Sequence, residues 1–80
     1  MDDNLLLMME NLDDTMTALR GEMMSWEQSL YALHEELAEV GPSDDAKQIL
    51  IDAWEAGFAV EHRVEALRAI VTDVAKEVIG

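Results

Sequence analysis

Eighty residues, half of them apolar, with four glycines, one proline and no cysteine, describe a chain that folds around one small core without disulfide or thiolate–metal reinforcement. Eighteen acidic residues against five basic ones give a formal charge of −13, a field that repels phosphate backbones and anionic lipid alike. Direct nucleic-acid and membrane-surface binding are therefore not expected, and a basic protein surface is the partner such a field attracts.

The chain starts with Asp2 and Asp3 followed by an apolar run, Leu5 to Met9. That run is too short for a signal-peptide core and has acids, not cations, before it, so a cytoplasmic location is the expectation. No segment approaches the length of a membrane span. From Leu5 onward an apolar residue recurs every seventh position: Leu5, Leu12, Leu19, Trp26, Leu33, Val40. A second series follows four residues behind it: Met9, Met16, Met23, Leu30, Leu37. With the second series at a and the first at d, this is an unbroken heptad repeat, which predicts one long helix over about residues 3–40 that packs its stripe on another helix. Gly21 lies inside it at a cost of about 1 kcal/mol relative to alanine. The phase runs through it, so a continuous or gently bent helix is expected.

Gly41-Pro42-Ser43 is the one clear punctuation. Glycine suits the residue after a helix, proline cannot continue one, and Ser43 is a good N-cap with Asp44 and Asp45 behind it at the positive end of the next helix dipole. A second helix is predicted over about 44–79, with Leu50, Gly57, Val64, Val71 and Val78 at a and Ala46, Ala53, Val60, Leu67 and Val74 at d. So short a turn requires an antiparallel hairpin, each arm about 54 Å long. Facing residues then have numbers adding to about 85, which sets Trp26 against Ala56, Gly57 and Ala59, and Glu22 beside Arg63. The expected architecture is all-α: one helical-hairpin domain over residues 1–80.

Two helices cannot cover all the apolar surface this sequence carries. Leu5 to Met9, including Leu6 and Leu7, is apolar around the whole helix, and Ile49, Leu50, Ile51, Trp54 and Phe58 span a wide arc at the start of the second helix. These patches lie at opposite ends of the hairpin. A homodimer forming a four-helix bundle is expected, with an antiparallel two-fold arrangement bringing the complementary ends together. Met24 and Tyr31, one heptad apart at b, form a further stripe for partner or dimer contact.

Catalytic and metal chemistry find little support. The chain has three serines, no cysteine, no phosphate-cradling glycine loop and no carboxylate pair at core positions. His34 and His62 stand several turns apart in the expected register, neither has a glutamate three residues before it, and no glutamate occupies a or d, as a carboxylate metal bundle requires. Chorismate-mutase-like helical enzymes need converging cations that five scattered ones do not provide. No enzyme activity, cofactor or metal is expected.

The acids are unevenly placed. The first half of the chain, from Asp2 to Val40, carries ten against Arg20 alone; Asp3, Glu10, Asp14, Glu35 and Glu39 fall at outward positions, and Asp13, Glu22, Glu27 and Glu36 at the e and g flanks. An outward carboxylate array on a rigid rod imitates the duplex backbone, which carries about one charge per 1.7 Å of axis. The layout resembles plasmid-encoded RNA-binding hairpin dimers but lacks their basic face. The expected function is that of a small inhibitor of the anti-CRISPR or anti-restriction type, a nucleic-acid mimic laying Glu10, Asp13, Asp14, Glu35, Glu36 and Glu39 on the basic groove of a nucleic-acid-binding enzyme complex. The alternative is an assembly adaptor that binds through its apolar stripes.

Overall fold

The computed structural model describes residues 3–80; Met1 and Asp2 lie outside the described residues. Helix α1 (Asp3–Glu39) and helix α2 (Asp44–Ile79) form an antiparallel hairpin measuring 57 × 15 × 14 Å. Both bounds fall within one residue of those the heptad pattern and the Gly-Pro-Ser turn predict. Helix α1 passes through Gly21 without interruption.

The turn is built by local chemistry. The N–H groups of Val40 and Gly41 both donate to the Glu36 carbonyl, at 2.9 and 3.1 Å, and Gly41 takes φ +88°, a left-handed conformation that costs glycine nothing. Ser43 then caps α2 from an extended backbone. Its Oγ accepts the Ala46 N–H at 3.0 Å and its hydroxyl donates to Glu36 Oε1 at 3.0 Å, so one side chain ties the end of α1 to the start of α2. Asp44 and Asp45 occupy the first turn of α2 and Lys76 its last, each matched to the sign of the dipole.

The seam differs from the expected a/d pairing. On α1 the half-buried residues are d (Leu5, Leu12, Leu19, Leu33), g (Met8, Thr15, Glu22, Ser29, Glu36) and Ala18 at c. On α2 they include d (Val60, Leu67, Val74) and g (Ile49, Ala56, Arg63, Ile70), and Ala46 and Ala53, both at d, are the only buried apolar residues described. The hairpin therefore closes on d and g. Ala46, Ala53 and Ala56 put small side chains on that line, and the a series of α1 lies outside it, whereas Gly57 and Val64 at a on α2 are half-buried. Met9, Met16, Met23, Leu30 and Leu37 all stay exposed.

The lateral pairs agree with the expected register. A Cβ on Gly57 would meet the Trp26 indole at 3.3–3.4 Å, so the missing side chain is what seats the ring. Arg63 Nε stands 3.6 Å from Glu22 Oε1, and Asn4 Nδ2 donates to Glu77 Oε1 at 3.3 Å. The residue numbers of these pairs add to 83, 85 and 81, a narrow range about the predicted value.

Candidate interaction surfaces

Because the helices are antiparallel and share a d/g seam, positions a and e of both fall on one broad side of the hairpin, here called the front, and c positions on the back. The front is apolar. A groove of about 340 Å³ runs between the helices, lined among others by Trp26, Leu30, Leu50, Ala53 and Gly57. Trp54 and Phe58 close one side in an edge-to-face pair with ring centroids 5.7 Å apart. Toward the turn it continues into a hollow of about 190 Å³ among Leu33, Leu37, Pro42 and Leu50.

The area of the hairpin shows how incomplete its burial is. It exposes 6150 Å², whereas a folded monomer of 9.0 kDa exposes about 4,850 Å² by the usual size scaling. The difference, about 1,300 Å², exceeds the ~800 Å² that each partner contributes to an ordinary stable interface.

Each apolar residue singled out from the sequence is exposed: Leu6 and Leu7 near the open end, Met24 and Tyr31 along the outer edge of α1, and Ile51, Trp54 and Phe58 on α2. The structure brings Trp54 and Phe58 together in the front groove. Tyr31 lines a separate hollow on α1 with Glu27, Leu30 and His34. Leu30, Leu37 and Leu50, which the heptad pattern assigns to the core, are front-face residues of the hairpin. The small residues of α2 are the signal that identifies the closer seam.

Of the acids singled out, Glu10, Asp13, Asp14, Glu35 and Glu39 are exposed, whereas Glu36 is half-buried and engaged by Ser43. They are strung along α1 from its second turn to its last and do not converge on one spot. Two ion pairs are present among the described residues, Arg63 with Glu22 and the exposed Lys47 with Asp44 at 3.8 Å. No three His, Asp or Glu side chains among the described residues converge as a metal cage. No described helix is long and apolar enough to cross a membrane.

The e positions, noted from the sequence only for their acids, hold a pattern of their own. On α1 they read Leu6, Asp13, Arg20, Glu27, His34, and on α2 Lys47, Trp54, Glu61, Arg68, Ala75. Three acids and three cations balance there, so the whole excess of −13 sits at other heptad positions. Arg20 and Arg68 have no carboxylate partner within the hairpin among the described residues. No family model, no curated protein and no solved structure matches this chain.

Proposed function

We propose that the chain is a protein-binding module that works as a homodimer, two hairpins closing their front faces into a four-helix bundle and offering the remaining acidic surface to a basic partner. One observation carries the reading: the hairpin segregates its surface into an apolar, charge-balanced front and an acidic remainder. An apolar face rimmed by equal numbers of both charges suits a second copy of the same strongly acidic chain, which a face sharing the net charge would repel. In such a bundle a and d form the core, g lines the seam within each hairpin and e the seam between hairpins, the ordinary division of a four-helix bundle.

The outer surface then carries the uncompensated carboxylates on a rigid support about as long as the hairpin. This favours a partner whose basic groove ordinarily holds nucleic acid, with the module acting as an inhibitor that occupies the groove. Rim charges govern on-rate and salt dependence. The test replaces Glu10, Asp14, Glu35 and Glu39 together by lysine and compares capture from host lysate under a salt ramp. Wild-type capture of a nucleic-acid-binding protein released at moderate salt, lost in the reversed variant, supports the reading. Undiminished capture by the variant overturns it for that surface. Capture that survives high salt but fails in Trp54→Ala points instead to an adaptor working through the apolar face, a reading the exposed Trp54–Phe58 pair favours.

A further inference from the structure

Resting on the dimer reading above, we infer that the two copies join with their turns at the same end, Asp13 of each pairing with the partner's Arg68 and Arg20 with the partner's Glu61. Two closed arrangements let one front face cover another. In the first the two-fold axis runs along the helices, so α1 lies beside the partner's α2 and both turns share an end. In the second, the antiparallel arrangement expected from the apolar ends Leu5–Met9 and Ile49–Phe58, the axis crosses the helices, so α1 lies on its own copy and the turns point apart.

The e rows decide between them. With the axis along the helices, each copy's α2 keeps the height it has in its own hairpin. Cross-chain pairs then obey the same register as the observed lateral contacts, whose numbers add to 81, 83 and 85. Asp13 with Arg68 and Arg20 with Glu61 both add to 81, as Asn4 with Glu77 does. Two-fold symmetry makes four opposite-charge pairs, and they engage the two arginines that lack partners in the hairpin. The Glu22–Arg63 pair at the g–g edge is the same device already formed within one chain.

With the axis across the helices and the arms fully overlapped, residues near each helix midpoint meet their own copies. Arg20 lies one residue from the middle of Asp3–Glu39, and Glu61 lies at the middle of Asp44–Ile79. That arrangement sets arginine on arginine and glutamate on glutamate at the centre of the interface. Like charges so placed oppose association.

The chain has no cysteine, so a spin label at Glu39→Cys, exposed near the turn, reports the arrangement in the intact dimer. Turns at one end place the two labels about 20–30 Å apart, given interaxial distances of 8–10 Å. Turns at opposite ends place them about 50 Å apart on rods of this length, and that distance overturns the inference while leaving the dimer standing. A monomeric wild type by sedimentation overturns both. Charge reversal supplies the second reading: Arg20→Glu alone is expected to raise the dimer dissociation constant about tenfold, and adding Glu61→Arg to restore it to within about threefold. Failure of the double variant to recover overturns the pairing whatever the label distance shows.

Discussion

The front and the back of this hairpin are made from the same two helices and obey opposite rules. Small or polar residues line the back, Ala18, Ser25 and Ala32 on α1 and Ala59 and Ala66 on α2, with acids such as Asp45, Asp52 and Asp73 beyond them. The front presents Leu30, Leu50, Trp54 and Phe58 to water. The largest apolar side chains between the helices concentrate on the front, and among the described residues only Ala46 and Ala53 are buried apolar ones, so the hairpin leaves most of its heptad stripe uncovered. A two-helix ribbon hides one edge of each helix, and the rest of the heptad stripe needs another layer. The back needs none, because its alanines and serines leave little apolar area to cover.

The sharpest way to break this contrast is to place one carboxylate on each side. Leu30→Asp puts a charge into the proposed interface, where an unpaired buried carboxylate costs at least about 3 kcal/mol, so dimer affinity should fall more than a hundredfold. Ala32→Asp, two residues away at a back c position, should leave affinity within about twofold. Sedimentation of the two variants decides the matter, and equal effects from both would remove the distinction between front and back.

Much of this arrangement is legible in the sequence, and the part that is not has a definite cause. The heptad repeat, the Gly41-Pro42-Ser43 turn and the seating of Trp26 at Gly57 follow from spacing and size. So does the Glu22–Arg63 pair, because a short turn leaves a single register. The division of the stripe between seams does not follow so directly. A heptad states that a and d are apolar, but a four-helix bundle divides that core among neighbours, and which pair of positions closes within one chain depends on which side chains permit the nearest approach. Ala46, Ala53 and Ala56 hold that information, and a binary apolar/polar reading discards it. The acidic positions are equally readable from the heptad. Their reach toward a partner is not, since exposed carboxylates make no contact that fixes a binding geometry.

At the turn the two faces share a single support, and its removal should be felt by both. Ser43→Ala deletes the cap on the Ala46 N–H and the hydrogen bond to Glu36. The expected loss is about 1 kcal/mol, or about 4–8 °C in melting temperature for a domain of this size, with the helical content of the folded protein unchanged. Thermal melts followed by circular dichroism measure it. An unchanged melting temperature would show that Gly41 and Pro42 define the turn without the serine.

The smallest effects come from two glycines that composition alone would treat alike. Both lie inside helices, where alanine is better by about 1 kcal/mol. A Cβ at Gly21 meets open space, so Gly21→Ala should realise that gain in full. At Gly57 the same Cβ meets the Trp26 ring at 3.3–3.4 Å, tighter than side chains ordinarily tolerate. The indole, packed against Gly57 and lining the front groove, must shift by a few tenths of an ångström. Gly57→Ala should therefore gain nothing or lose stability, and it should move the tryptophan emission where Gly21→Ala does not. Equal stabilisation by the two substitutions would mean that the ring is free to leave its place. The register of the hairpin would then rest on the Glu22–Arg63 and Asn4–Glu77 pairs and the turn, since among the described residues the indole occupies the only close approach that a glycine makes to another residue's side chain.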